Sequence, residues 1–180
     1  NAPPLVTKTT LTYNPFSSLI AAGNGVQALH RNPLHKTTTD SKGTTYISTY
    51  MYPNNYNSSP YSTMVQRNIL TPVIEEQEYI SSTTSTPIRG RKVDYAIWNS
   101  NNNQSYPSVM YDYLRSTNSF LPTFNFLGYD INGNPSSYST RGGPTTSLIW
   151  GYNGEHLISK IENATYTDVL TALGGGSTTS

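Results

Sequence analysis

The chain has 180 residues, enough for one ordinary domain or a short array of structural repeats. Hydrophobic residues make up 34% of it and charged residues only 12%, with a formal net charge of +1, whereas disordered chains usually combine low hydrophobicity with high charge. A folded protein is therefore favoured, and the lack of a basic cluster argues against nucleic acid as a partner. The absence of Cys excludes disulfides and thiolate metal sites.

Ser, Thr, Asn and 15 Tyr take the place of charged residues. Tyr and Thr suit pleated surfaces that are half buried, so the composition favours strands. No apolar run approaches the roughly 20 residues that span a bilayer, and the first six residues lack a signal core. We therefore expect a soluble chain without membrane insertion. The first β-branched segment, Val6 to Tyr13, ends at Asn14-Pro15 and is predicted to be a strand.

A first hairpin is predicted around residue 40. The run His35 to Thr39 leads into Asp40-Ser41-Lys42-Gly43, which has Asp first and Gly fourth, as a type I turn prefers. Thr44 to Tyr52 follows as the second strand. Its period of two places Tyr50 and Tyr52 on the same face.

The middle of the chain predicts a short helix and a second hairpin. Ser59-Pro60 can cap and begin a helix over Tyr61 to Arg67. Ile69 to Ile80 is typical of a strand interrupted near Pro72, and residues 87–90 are predicted to turn the chain into a strand over Lys92 to Trp98. Residues 99–105 are expected to form an exposed loop, and Tyr106 to Phe126 carries no clear pattern.

The C-terminal part predicts a third hairpin and a second helix. Residues 130–133 repeat the Asp-x-x-Gly turn, and Arg141-Gly142-Gly143 marks another reversal before a strand over Thr145 to Tyr152. Thr165 is predicted to cap a helix, with Asp168 favourably placed on the helix dipole. Residues 174–180 are expected to form a flexible tail after a single β domain over residues 1–173.

A shift of one hundred positions brings similar residues together. It aligns Gly43, Thr45 and Tyr52 with Gly143, Thr145 and Tyr152, and places Tyr50 opposite Trp150. Each block follows a predicted turn and ends in an aromatic-x-aromatic pattern. This indicates a stacked β array that reuses one supersecondary unit.

Three segments carry a resemblance to a known family. Tyr129 to Pro135, YDINGNP, is similar to the YDxxGN core of a YD repeat, and Met64 to Tyr79 and Leu148 to Tyr166 resemble segments of YD-repeat (RHS-repeat) proteins of Bacteroidetes. The resemblance implies a bacterial surface or secreted protein whose β-hairpins stack as a scaffold. It supplies no catalytic residues. We therefore expect a mostly β fold, with antiparallel hairpins in an irregular β-sheet or repeat array and one or two short helices.

Two polar clusters are candidate sites of chemistry. Asp130, Asn132 and Asn134 alternate like calcium ligands, but an EF-hand loop needs Gly sixth and Glu twelfth, where this chain has Pro135 and Arg141. A hairpin turn is the better interpretation. The second cluster could supply a glycosidase pair, but a solvated strand face is favoured because catalytic carboxylates come from separated positions in a cleft. Its members are Glu75, Glu76 and Glu78.

His30, His35 and His156 are too few and too scattered for a zinc site, and none lies near a nucleophile motif. We interpret them as surface or packing residues. The sequence shows no combination of nucleophile, base and orienting group. It therefore predicts no enzyme and indicates no cofactor and no metal.

The aromatic residues leave two functional interpretations open. Sugar-binding modules present Tyr and Trp faces on β surfaces, whereas strand ends use aromatics for cross-strand packing. The residues concerned are Tyr50, Tyr52, Trp98, Trp150 and Tyr152. If these side chains pack between strands, we expect a non-catalytic scaffold whose partners are other repeats or modules of the same larger protein. If they are exposed, we expect a carbohydrate- or protein-binding β module. On the first interpretation, Trp150→Ala and Tyr152→Ala should each cost several kcal/mol.

Overall fold

A computed structural model describes residues 6–13, 32–81, 86–98 and 104–174. Within them the chain is mostly β, as expected, with ten antiparallel strands that follow one another in sequence order in one sheet. The strands are β1 (Lys8–Tyr13), β2 (Pro33–Thr39), β3 (Thr45–Met51), β4 (Glu75–Ile80), β5 (Arg89–Trp98), β6 (Gln104–Leu114), β7 (Ser119–Tyr129), β8 (Pro135–Thr140), β9 (Thr145–Gly151) and β10 (His156–Glu162). The helices are α1 (Tyr61–Gln66), α2 (Tyr166–Ala172) and a single 3-10 turn, Pro53–Asn55.

The chain divides into two compact units. Unit 1 comprises residues 1–93 and 112–121, and unit 2 comprises residues 94–111 and 122–180. Residues 175–180, which the sequence assigns to a tail, lie outside the described ranges. So do His30 and the Asn14-Pro15 pair.

In unit 1, the predicted turn between β2 and β3 is confirmed. The Asp40 carboxylate accepts hydrogen bonds from the backbone N–H groups of Lys42 and Thr44, both at 2.9 Å. Gly43 has a φ of +83°, in the left-handed region that glycine adopts without strain. The side chain of Asp40 thus fixes the turn from within, and the turn sets the register of the two strands.

The core of unit 1 lies around α1, with Tyr52, Tyr61, Met64, Leu70 and Ile74 buried. The helix covers Tyr61 to Gln66, close to the prediction, but its cap is not Ser59. Pro60 itself occupies the N-cap position, and no side chain caps the helix. The phenol of Tyr52 donates to the carbonyl of Pro33 at 2.9 Å, which joins the end of β3 to β2.

The second hairpin is confirmed, but its turn was placed too late. β4 begins only at Glu75, because the interruption near Pro72 extends to Ile74. β4 pairs antiparallel with β5, and Glu78 lies opposite Arg89. The N–H of Ile88 already donates to the Glu78 carbonyl at 2.8 Å, so Arg89 and Gly90 are ladder residues instead of turn residues.

The segment without a sequence pattern forms β6 and β7. β6 begins at Gln104 and Ser105 is buried, so the expected exposed loop ends earlier than predicted; residues 99–103 lie outside the described ranges. β7 carries apolar side chains on both of its faces and contains Pro122. Its sequence therefore shows no period of two. Bulges between Phe126 and Tyr129 shift its register with β8.

In unit 2, the turn that begins at Asp130 repeats the hydrogen bonds of the Asp40 turn. The Asp130 carboxylate accepts from the N–H groups of Asn132 at 2.9 Å and Asn134 at 2.8 Å, and Gly133 has a φ of +88°. The hairpin-turn interpretation of this motif is confirmed. Each side chain that resembled a calcium ligand belongs to a turn.

The hundred-position repeat holds for strand bounds but not for conformation. β3 and β9 cover spans that differ by one hundred residues. In the turn before β9, however, the left-handed glycine is Gly142, at a φ of +68°. Tyr52 is 2% exposed and Tyr152 is 75% exposed, so these two aromatics are not structural equivalents.

The predicted C-terminal helix is α2, and Thr165 caps it as expected. β10, which precedes it, was not predicted; a bulge between Leu157 and Ser159 breaks its alternation. The Thr165 hydroxyl donates to the Asp168 carboxylate at 2.6 Å, and the Asp168 N–H donates back to that hydroxyl at 3.2 Å. This reciprocal arrangement satisfies free donors at the start of the helix. No helix in the described ranges is long and apolar enough to cross a membrane.

The cap makes α2 sensitive to acid. Hydrogen bonds from the side chain and then the backbone of Thr165 lower the pKa of Asp168 below its usual value. A folded-state pKa below the unfolded one contributes stability that is present above the unfolded pKa and lost as the pH falls through the folded pKa. We expect the ¹³C shifts of Val169 and Leu170 to move toward coil values as the pH falls through that range. In Asp168→Asn this pH dependence should disappear; an unchanged profile would contradict the assignment.

Candidate functional site

Six aromatic rings of unit 2 form a continuous row, here called the aromatic ladder. Its members are Trp98, Tyr106, Phe124, Phe126, Tyr129 and Tyr138. Tyr129 lies at its centre and stacks on Tyr106 with ring centroids 4.9 Å apart. Trp98 and Phe126 contact the same ring at 5.1 Å and 5.6 Å. Such offset and tilted pairs stabilise a sheet beyond the area that they bury.

Hydrogen bonds hold the ladder to the strands beneath it. The Tyr129 hydroxyl donates to the carbonyl of Pro107 at 2.8 Å, and the Trp98 indole N–H donates to the carbonyl of Tyr106 at 3.4 Å. Tyr129 is buried, while the other five rings are half buried. Burial, with a smaller contribution from Tyr95 and Tyr106, raises the pKa of Tyr129 far above its usual value, so its phenol stays protonated.

A cleft of about 480 Å³ opens on unit 1, here called the charged cleft. Its polar and aromatic lining consists of Glu76, Glu78, Arg89, Arg91, Asp112 and Tyr113. These residues come from β4, β5 and β6. The register of β4 and β5 sets Glu76 opposite Arg91 and Glu78 opposite Arg89, so acidic and basic side chains alternate across the floor.

The two ion pairs of the cleft differ in strength. Arg89 binds Glu78 through two contacts, Nε to Oε2 at 2.5 Å and Nη2 to Oε1 at 3.0 Å. This contact raises the pKa of Arg89. Arg91 Nε lies 3.8 Å from Asp112 Oδ1, and both side chains are largely exposed. A bidentate pair is well ordered, whereas a long exposed pair contributes little.

Glu76 is the third carboxylate, and it makes no ion pair among the described residues. It lies opposite Tyr50 of β3 as well as Arg91 of β5. Burial raises the pKa of Tyr50, and the negative charge of Glu76 raises it further. Tyr50 is thus a neutral neighbour of this carboxylate.

The Tyr113 ring lies on the opposite face of the strands from the charged side chains, because adjacent strand residues alternate and Asp112 contacts Arg91. The Tyr113 ring meets Phe120 edge to face with centroids 5.6 Å apart, and its hydroxyl donates to Asn118 Oδ1 at 2.6 Å. Gly90 lies in the floor, where a Cβ atom would come within 2.9 Å of the Glu76 carbonyl oxygen and 3.2 Å of Phe120. Only glycine allows this close packing.

The five predicted aromatic site residues are divided between the units. Tyr50 and Tyr52 belong to unit 1, and the Tyr52 ring is buried in the core. Trp98, Trp150 and Tyr152 belong to unit 2. Trp98 is part of the ladder, and Trp150 is half buried and donates to the Pro135 carbonyl at 2.8 Å.

Tyr152 differs from the other four because it is 75% exposed. It lies in the turn after β9 with a φ of +53°, and its ring meets His156 edge to face at 5.5 Å. Of the six rings in the aromatic ladder, the sequence singled out Trp98 and missed the other five. The spacing Phe124-x-Phe126 was the available signal, because residues two apart share one face of a strand.

The acidic run does not form one solvated strand face. Glu75 faces away from Glu76 and Glu78, as adjacent strand residues do, and accepts from Gln77 Nε2 at 2.6 Å. The side chain of Glu78 is only 14% exposed. His35 and His156 are both exposed, and within the described residues no group of three His, Asp or Glu side chains could hold a metal ion.

Comparison with known proteins gives no match to any family model, curated protein or solved structure. The resemblance to YD-repeat proteins therefore stays a prediction.

Proposed function

We propose that this chain is a non-catalytic structural β-repeat segment, a scaffold within a larger bacterial surface or secreted protein. The observation that carries the proposal is the aromatic ladder. Its rings contact one another, and the Tyr129 hydroxyl and the Trp98 indole N–H donate to backbone carbonyls of the same sheet. Packing within the sheet therefore accounts for these aromatic side chains.

Bonds between neighbouring turns of unit 2 support the same proposal. Asn132 Nδ2 donates to the carbonyl of Asn153 at 2.8 Å, and Asn134 Nδ2 donates to the carbonyl of Gly154 at 2.7 Å. The turn after β7 is thereby joined to the turn after β9. Such links between successive hairpins suit a segment whose partners are other repeats or modules of the same protein.

Trp150 and Tyr152 give a matched test of the scaffold. Trp150→Ala removes a half-buried ring and leaves the Pro135 carbonyl without its donor, so we expect a loss of about 3 kcal/mol in the free energy of unfolding. Tyr152→Ala removes an exposed ring, so the cost of several kcal/mol expected from the sequence is corrected to about 0.5 kcal/mol or less. Urea unfolding measures both. A Trp150→Ala protein as stable as the parent chain would contradict the scaffold.

A second candidate is a carbohydrate- or protein-binding β module, and the exposure of Tyr152 favours it. A large exposed aromatic is a frequent anchor at binding surfaces. On this alternative, Tyr152→Ala abolishes binding to an arrayed glycan or a captured protein while the melting temperature stays the same.

A further inference from the structure

Two Asn-Gly pairs of unit 2 lie in turns that contact each other. Asn132-Gly133 belongs to the turn after β7, and Asn153-Gly154 belongs to the turn after β9. Because glycine has no side chain, its backbone nitrogen can reach the side-chain amide carbon of a preceding asparagine with little steric hindrance. We propose that Asn153 is a site of spontaneous deamidation, whereas the fold protects Asn132 from the same reaction.

The reaction needs no group other than water. The Gly154 nitrogen attacks the side-chain amide carbon of Asn153, a C–N bond forms, the bond to Nδ2 breaks, and ammonia leaves with the proton of the Gly154 N–H. Water then opens the resulting succinimide ring. Attack of water on the former side-chain carbonyl gives aspartate, and attack on the main-chain carbonyl gives isoaspartate.

The two pairs are matched in exposure and in their backbone contacts. Both asparagines are exposed. In each pair the glycine N–H donates to the carbonyl three residues earlier, at 3.2 Å from Gly133 to Asp130 and at 3.1 Å from Gly154 to Gly151. Both reactions require this bond to open. A difference in rate must therefore come from side-chain hydrogen bonds and from the backbone conformation of each turn.

Asn132 is held by both its side chain and its backbone. Its Nδ2, the leaving group of the reaction, donates to the Asn153 carbonyl at 2.8 Å. Its own N–H donates to the Asp130 carboxylate at 2.9 Å, and the same carboxylate accepts from the Asn134 N–H at 2.8 Å. The bond to the Asn153 carbonyl restrains both turns, but the two bonds to Asp130 restrain Asn132 alone.

Asn153 reacts from a less restrained turn. Its side chain makes no hydrogen bond within the described ranges, so its amide group can rotate toward Gly154. Tyr152 and Asn153 both have left-handed backbones, with φ values of +53° and +57°. This conformation is unfavourable for a residue as bulky as tyrosine, so the turn loses less when it opens. The Gly154 carbonyl, which accepts from Asn134, lies beyond the reacting nitrogen.

Conversion of Asn153 changes the link between the two turns. In the isoaspartyl product the main chain runs through Cβ and Cγ of this residue, and the former main-chain carbonyl becomes a free carboxylate. That carbonyl is the acceptor for Asn132, and the adjacent Gly154 carbonyl is the acceptor for Asn134. Both acceptors are displaced, so the deamidation loosens the contact between the turn after β7 and the turn after β9.

The test is incubation of the folded chain in mildly alkaline H₂¹⁸O, followed by tryptic digestion and mass spectrometry. Each deamidation places one ¹⁸O atom in the new carboxyl group. Trypsin releases Asn132 within residues 116–141 and Asn153 within residues 142–160, so the two are measured separately. We expect Asn153 to gain label at least about tenfold faster than Asn132, because hydrogen bonds to a carboxylate such as Asp130 are of the stronger kind.

The unfolded chain supplies the control. In urea both pairs should gain label at similar rates, because the bonds that protect Asn132 exist only in the folded chain. Asp130→Ala removes both carboxylate bonds and should bring the rate at Asn132 closer to that at Asn153. The comparison within the parent chain does not depend on this variant.

Two results would overturn the proposal. One is labelling of Asn132 in the folded chain as fast as that of Asn153, and the other is no label at Asn153 after a time that converts the unfolded chain completely. The loosened link is followed by NMR of the ¹⁵N-labelled chain, in which conversion should shift the side-chain amide signals of Asn132 and Asn134. Unshifted signals would contradict it. The scaffold proposal is tested by stability and stands apart from these results.

Discussion

Tyr129→Ala is expected to lower the free energy of unfolding by about 3–5 kcal/mol, the range for truncating a buried aromatic. Tyr129 is 7% exposed and contacts Trp98, Tyr106 and Phe126, so its loss leaves a cavity at the centre of the ladder. The variant also leaves the Pro107 carbonyl without its hydrogen-bond donor. Urea unfolding, together with amide exchange of unit 2 residues, measures the effect.

Two further variants serve as controls. One removes only the Tyr129 hydroxyl, and the other truncates an exposed side chain of the same strand. Tyr129→Phe keeps all ring contacts and should cost about 1 kcal/mol, the net contribution of one hydrogen bond. Leu127→Ala alters a side chain of the same strand that is 49% exposed, and should cost well under 1 kcal/mol. If Tyr129→Ala is no more damaging than Leu127→Ala, the ladder does not stabilise unit 2, and the scaffold proposal loses its main support.

Local signals in the sequence were sufficient for the two Asp-x-x-Gly turns and for the start of α2. The Asp-x-x-Gly turns at Asp40 and Asp130 form because a carboxylate caps its own turn, which depends on five consecutive residues only. The Thr165 cap of α2 is equally local. The prediction of a Ser59 cap was wrong, because Pro60 occupies the N-cap position and no side chain caps the helix.

The strands that escaped prediction are those in which tertiary packing overrides the period of two. β7 buries rings on one face and carries Leu121 and Leu127 on the other, so its sequence resembles no half-exposed strand. Bulges in β7 and β10 shift the alternation by one residue. A single sequence contains no signal for where a bulge falls.

The charged cleft was beyond sequence reasoning for a related reason. Glu76, Arg91 and Asp112 are distant in the chain and meet only because β4, β5 and β6 are neighbours in the sheet. The acidic run around Glu76 was visible, but the prediction of a solvated face treated β4 in isolation. Likewise, Tyr52 and Tyr152 each follow a similar strand in the sequence but differ in burial. Tyr52 packs into the core around α1, whereas Tyr152 lies exposed in a turn.

Ile74 offers the corresponding test in unit 1. It is fully buried, its N–H donates to the Met51 carbonyl and its own carbonyl accepts from Val93, so both the side chain and the backbone are fixed. Ile74→Ala should lower the free energy of unfolding by about 2–5 kcal/mol and Ile74→Val by about 0.5–1.5 kcal/mol, because the cost follows the size of the cavity.

The adjacent Val73 is 39% exposed and serves as the matched control, since Val73→Ala should cost well under 1 kcal/mol. Amide exchange of β3 and β4 residues shows the effect within unit 1 itself. The interruption near Pro72 then has a physical role: it ends at the residue whose side chain fills the core, and β4 begins immediately after it. Equal costs for Ile74→Ala and Val73→Ala would mean that this segment contributes to unit 1 through its backbone hydrogen bonds alone.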